Sequence, residues 1–331
     1  MAGDRRVDTR VRVGSVELPH AVMTAAGTSG HGAELARYCD LSRLGAVVVK
    51  SLSVMPWPGN PAPRLHPLAD GMLNSVGLQG PGVAAWFDEF FPDLVRTGAR
   101  VVVSVWGRSV DEYRQAARAV ADGLRRSGRA GDCVVAVEVN LSCPNLEGRR
   151  GIFAHDADLS GAVIAASVDG LVGAERPVWA KLSPNTDRLV EIAGVVARAG
   201  AEAVTLVNTV LGLVVDPDTG RPVLGNGGGG LSGRAIHPVA QRAVFDVASA
   251  WPDLPIVGVG GVTGAAEAAA LLQVGARAVQ VGTATFADPR APELVARGLE
   301  TWSVDRGIER LADLSGAVGR GGIHPLPPAQ G

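Results

Sequence analysis

Short apolar runs recur along the chain and alternate with longer stretches whose apolar positions follow a helical period. The runs fall at residues 21–24, 46–49, 101–105, 134–139, 178–181, 203–207, 256–259 and 278–281. They are rich in β-branched residues and too short for helices, so each predicts a strand buried on both faces, as in a parallel sheet. Helical patterns follow at 33–43, 83–96, 110–126, 159–172, 187–199, 236–250, 265–273 and 292–304. Most junctions back to a strand carry a Gly-Ala pair, as at Gly45-Ala46, Gly200-Ala201 and Gly275-Ala276. Eight such repeats predict an α/β fold, a (β/α)8 TIM barrel filling residues 1–331 as a single domain. Residues 11–13 and 16–18 flank Gly14-Ser15 and predict an N-terminal β-hairpin, read as a plug on the N-terminal face. The connections at 51–82 and 208–234 are too long for turns and follow strands, which predicts long loops on the catalytic face.

Bulk chemistry removes several classes of function. A net charge of −2 and a pI near 6.3 provide no field to attract nucleic acid or anionic lipid. No apolar run approaches the roughly 18 to 20 residues of a membrane span, and residues 1–20 lack the charged-then-apolar order of a secretion signal. A cytoplasmic location is expected. The three cysteines, Cys39, Cys133 and Cys143, are too few and scattered for a disulfide framework or a four-thiolate cluster. The six histidines show no metal-ligand spacing, so no metal is expected.

Against 29 arginines stand two lysines, Lys50 and Lys181, and each ends an apolar run. A compact ammonium kept at a strand end in an arginine-biased chain suits a point charge beside a ligand. One such lysine is ordinarily a strand end reaching for solvent; two in equivalent places strain that explanation. The run Glu138-Val139-Asn140-Leu141-Ser142-Cys143-Pro144-Asn145 places a thiol, a hydroxyl and two amides where the fourth strand runs out. Cys39 and Cys133 fit the plainer role of small buried hydrophobes; Cys143, in a loop between Ser142 and Pro144, fits it less well. As a general base it would work best above neutrality, because an unperturbed thiol titrates near 8.5. Asn140, Asn145, Asn208 and Asn74 offer the paired donors and acceptors that suit a planar ring with imide edges or a carboxylate.

Glycines close the seventh and eighth strands at Gly258-Val259-Gly260-Gly261 and Gln280-Val281-Gly282-Thr283. In barrels, backbone N–H groups at that place form a phosphate cradle, and a flavin mononucleotide phosphate would fit it. A dinucleotide fingerprint fails, since the third glycine is missing. Small residues at Ala25-Ala26-Gly27-Thr28, after the first strand, would let a flat ring approach the backbone.

The run Asn140-Leu141-Ser142-Cys143-Pro144-Asn145 closely resembles the signature of class 1 dihydroorotate dehydrogenases. So do Ala26-Gly27-Thr28, Gly71-Met72-Leu73-Asn74-Ser75-Val76-Gly77-Leu78-Gln79, Lys181-Leu182-Ser183-Pro184-Asn185, Gly230-Leu231-Ser232-Gly233 and Gln280-Val281-Gly282-Thr283-Ala284. The likeness runs in order from about residue 10 to 315 and is strongest to the class 1B branch. It implies FMN-dependent oxidation of dihydroorotate to orotate in pyrimidine biosynthesis. Cys143 would take the C5 proton while the C6 hydride passes to FMN, with Lys50 and Ser142 in the catalytic group. Lys50, Asn74, Asn140, Asn145, Asn208 and Thr209 would hold the substrate. Ala26, Gly27, Lys50, Ser51, Asn140 and Lys181 would contact the flavin, with Lys181 near the N1–O2 edge. Gly233, Gly260, Gly261, Gly282 and Thr283 would bind its phosphate end. The resemblance further implies a homodimer or heterotetramer core with a partner carrying FAD and a [2Fe–2S] cluster that passes electrons to NAD. The chain departs from the family at Gly80, Ser53 and His237, where Asn, Thr and Lys are usual. Two rival readings use the same residues: a dihydropyrimidine dehydrogenase-like or specialised-metabolism flavoenzyme, and a non-catalytic flavin-binding subunit. The former usually carries His in place of Asn145.

Overall fold

The computed structural model describes residues 6–142, 144–145 and 151–322. Eight parallel strands form one sheet in the order Val22–Thr24, Ala278–Val281, Ile256–Val259, Ala201–Leu206, Val178–Lys181, Val134–Asn140, Val101–Val105 and Val47–Val48. The two end strands also meet. Gly45 N–H donates to Val22 O at 2.7 Å, Thr24 N–H donates to Ala46 O at 3.2 Å, and Val48 N–H donates to Thr24 Oγ1 at 2.9 Å. Numbered along the sequence, each strand therefore sits beside its predecessor and the eighth beside the first, the closed order of a (β/α)8 barrel. The strands are Val-rich because both faces are covered, the inner by the barrel core and the outer by helices. Full burial of each such side chain is worth roughly 1.5–3 kcal/mol.

The hairpin lies where expected. Val11–Val13 pairs antiparallel with Val16–Leu18, and Val11, Val13, Val16 and Leu18 point inward. Ser15 N–H donates to Glu202 Oε2 at 2.9 Å. Glu202 is the second residue of the sixth barrel strand, so the hairpin covers the N-terminal mouth.

Six helices match the sequence pattern within a few residues: Val110–Ser127, Ala157–Gly170, Leu189–Arg198, His237–Ala250, Ala265–Gln273 and Ala291–Val304. Their starts have local causes, such as Ser109 Oγ accepting Glu112 N–H at 3.2 Å and Asp156 Oδ1 accepting Leu159 N–H at 2.9 Å. Two segments differ from the expectation. Residues 33–43 form two 3₁₀ turns, Glu34–Arg37 and Leu41–Arg43, in place of one helix. Asp40 is the reason: Oδ1 accepts both the N–H and the hydroxyl of Ser42, so the side chain starts a new turn in competition with the helix. Residues 83–96 break into helical pieces Val83–Ala85 and Phe91–Arg96 around a π-helical turn, Trp86–Phe90. Pro92 has no N–H for a bond back to Asp88, and the ladder widens around the gap.

The two long loops do not lie separately over the barrel mouth. They pair into one four-stranded antiparallel sheet ordered Val210–Gly212, Gly229–Ser232, Gly71–Asn74 and Leu65–Leu68. Asn74 is in register with Gly230, and its Nδ2 donates to Gly230 O at 3.1 Å.

Candidate active site at the C-terminal mouth

Side chains on alternate residues of a strand share a face. Glu138 and Asn140, on the fourth strand, therefore both point into the barrel, and both are buried. Asn140 is a junction. Its Oδ1 accepts Asn208 Nδ2 at 3.3 Å and the backbone N–H of Ser142 at 3.2 Å, while its Nδ2 donates to Ser51 Oγ at 3.3 Å. Ser51 Oγ lies 2.8 Å from Ser104 Oγ, and Tyr113 Oη donates to Asn140 O at 2.7 Å. Asn208 Oδ1 in turn accepts Thr209 N–H at 2.8 Å. Residues from the ends of strands two, three, four and six are thus tied together by side-chain bonds.

Lys181 stands in register with Asn140 on the neighbouring fifth strand and is 5 % exposed. Its Nζ lies 3.8 Å from Glu138 Oε1. Lys50, at the end of strand two, is largely buried. Burial, helped by the Arg64 guanidinium, pushes its ammonium below the usual lysine range. A neutral amine is easier to bury than a cation, so an anionic ligand would strengthen the charged form.

At the other end of the opening the glycines after strand seven face the start of helix His237–Ala250, while Gly282 after strand eight lies against Ala25 and Thr28. Gly261 has φ +68°, and a Cβ there would stand 2.6 Å from His237 Cβ and 2.9 Å from Gly233 O. Only glycine lets these backbones approach so closely. Thr283 Oγ1 donates to Ser232 Oγ at 2.8 Å, and His237 Nδ1 lies 2.8 Å from Gly260 O.

These parts enclose one cavity of about 960 Å³. Lys50, Ser142, Asn74, Asn140, Asn208 and Thr209 line it. So do Ala26, Gly27, Ser51 and Lys181, and so do the glycine-end residues Gly233, Gly260, Gly261, Gly282 and Thr283. Cys143 and the side chain of Asn145 lie outside the described residues. Sequence reasoning assigned no role to Glu138, Trp57 or Trp106. The two tryptophans meet edge to face at 5.8 Å and line the same cavity. Glu138 carried a signal that was legible, an acid inside an otherwise apolar run.

Burial pushes the thiols of Cys39 and Cys133 up to about 11, so both are held protonated. Among the described residues no group of three or more His, Cys, Asp or Glu is placed to hold a metal ion. No helix there is long and apolar enough to cross a membrane.

A barrel with lysines, amides and a glycine cradle converging at its C-terminal mouth defines a class of enzyme, and the comparison with known proteins agrees. Residues 9–302 match the family model described as dihydroorotate dehydrogenase, and the chain belongs to that family. Within it the branch is specific. A relative from Pelobacter propionicus is 41% identical over 94% of this chain and 98% of its own length. One from Citrifermentans bemidjiense is 42% identical over 95% and 99%, and one from Desulforudis audaxviator 42% over 96% and 99%. All three are named dihydroorotate dehydrogenase B (NAD(+)), catalytic subunit.

Proposed function

We propose that this chain oxidises dihydroorotate to orotate in pyrimidine biosynthesis, as an FMN-loaded catalytic subunit of the B type. The observation that carries the reading is the single cavity in which the only two lysines meet Asn140, Asn208 and the glycine cradle. Its volume, about 960 Å³, lies at the upper end of ordinary ligand sites and suits a cofactor with a substrate. The residues present fit FMN. Positive-φ glycines at 233, 260 and 261 offer backbone N–H groups with no Cβ in the way, as a phosphate requires. Ala26, Gly27 and Ser51 leave room for a flat ring. Bound there, FMN supplies the acceptor for the C6 hydride.

The protein's own groups do the rest. Lys50 places a cation for the substrate carboxylate, and Asn74, Asn140, Asn145, Asn208 and Thr209 hold the ring and carboxylate in one orientation. Cys143 takes the C5 proton. Ser142, whose buried Oγ has no hydrogen-bond partner among the described residues, has donor and acceptor capacity at the same point. The chain works as one domain over residues 1–331 in the cytoplasm, as a homodimer or heterotetramer core. Electrons leave through a partner subunit with FAD and a [2Fe–2S] cluster; the relatives' names, a catalytic subunit of an NAD(+) enzyme, support the existence of a partner subunit.

Anaerobic mixing of the FMN-loaded chain with dihydroorotate tests the reading. Flavin absorbance should bleach in a single turnover, and Cys143→Ser should keep FMN yet bleach at least a hundredfold more slowly at pH 7. Bleaching by dihydrouracil but not by dihydroorotate would overturn the substrate, and an undiminished rate in Cys143→Ser would overturn the base.

A further inference from the structure

Glu138 is wholly buried, and the reaction just described does not use it. Its Oε2 accepts Thr205 Oγ1 at 2.9 Å and Gln280 Nε2 at 3.0 Å. Oε1 has no hydrogen-bond partner among the described residues and faces Lys181 Nζ at 3.8 Å. Glu138, Thr205 and Gln280 come from strands four, six and eight, the alternate strands that build one layer of a barrel interior. Such layers are ordinarily filled by branched aliphatic side chains. A buried ion pair is on average no more stabilising than an apolar pair of equal volume, so stability does not account for a carboxylate here. The carboxylate is instead held from two sides with its second oxygen turned to the one lysine at the cavity floor. Among the described residues Lys181 Nζ makes no hydrogen bond, and its donors are left for a ligand.

We propose that Glu138 is a positioning residue: as the counter-ion of Lys181 it holds the ammonium at the floor of the cavity and offsets its charge toward the bound flavin. The inference rests on the FMN reading above. With the pair intact the floor is neutral in sum. Glu138→Gln leaves a cation unbalanced and favours the more electron-rich reduced flavin; Lys181→Met leaves an anion and does the opposite.

The test is the two-electron midpoint potential of the FMN-loaded chain, with FMN dissociation constants for both redox states. Glu138→Gln should tighten reduced over oxidised FMN about tenfold, which is a positive shift of about 30 mV. Lys181→Met should shift the potential negatively, and the double variant should fall between the two. A purely packing role would weaken FMN binding in both single variants without moving the potential in opposite directions, and that result overturns the proposal. If Glu138→Gln does not fold, Glu138→Asp serves in its place, since it draws the carboxylate back from Lys181. It should give a smaller positive shift, and no shift would overturn the proposal. An unaltered chain that takes up no FMN would instead overturn the cofactor reading itself.

Discussion

Asn208 donates from Nδ2 to Asn140 Oδ1 at 3.3 Å across 68 residues of sequence, joining the ends of the fourth and sixth barrel strands. The same oxygen also accepts the N–H of Ser142, so the amide of Asn140 cannot turn over without losing both donors. The residue before Cys143 is therefore tied to the same junction as the amides proposed to hold the substrate.

Removing that junction should damage catalysis more than folding. Asn140→Ala breaks side-chain bonds to Asn208, Ser142 and Ser51, each worth about 1 kcal/mol. The expected result is a fall in kcat/KM for dihydroorotate of about a hundredfold. Asn208→Ala should cost about tenfold, and the double variant less than the product, because the two share a bond. Steady-state kinetics beside thermal melts separate this from general destabilisation.

Gly261→Ala should expel the cofactor. Its φ of +68° disfavours any side chain, and the methyl would press on His237 Cβ and Gly233 O. FMN affinity is expected to drop at least tenfold. Gly128→Ala is the control: φ there is +52° and nothing stands within 4 Å of a Cβ, so backbone strain alone should lower Tm and leave FMN binding unchanged.

Lys50 should make substrate binding sensitive to alkaline pH. A lysine is charged below its pKa, and burial beside Arg64 lowers that pKa from 10.5. The KM for dihydroorotate should therefore begin to rise at a lower pH than an exposed lysine would allow, with kcat less affected. Lys50→Arg should remove the pH dependence but raise KM throughout, because the planar fork does not replace a compact ammonium. A KM that stays flat to pH 10 in the unaltered enzyme would refute the assignment.

His20 should couple stability to acid. Burial, with the Arg43 charge second, lowers its pKa from 6.5 to about 4, and the nearby Ala296 backbone opposes the shift only weakly. Glu300 stands 3.5 Å from Nε2 and also favours the charged ring, but its side chain is 34% exposed. The deciding contact is Val22 N–H, which donates to Nδ1 at 2.9 Å and needs a lone pair there. With the folded pKa below the unfolded one, the unfolded chain binds more protons between about pH 6.5 and 4. The contribution is full above pH 6.5 and is lost as pH falls toward 4, to a total of about 3 kcal/mol. His20→Asn keeps an acceptor for Val22 and should unfold in urea with a shallower pH dependence over that window.

Periodicity alone located the eight strands and six of the helices, because burial on both faces and burial on one face leave different repeats in any chain. It failed at residues 33–43, where one Asp side chain outcompeted the helix, and in 83–96, where the aromatic pattern stayed helical but Pro92 removed a donor. The site was legible as a set of scarce residue types at strand ends, since closure of the barrel brings every strand end to one rim. Which amide bonds which was not legible.

By itself the sequence determined the eight barrel strands, the glycine positions and the places where lysine and asparagine interrupt apolar runs, since local propensity and burial period are written residue by residue. Only the tertiary structure decided that residues 71–74 pair with 229–232, that Asn208 meets Asn140, and that Glu138 faces Lys181. Those contacts depend on the tilt and register with which the barrel closes, a property of all eight strands at once that no single stretch encodes.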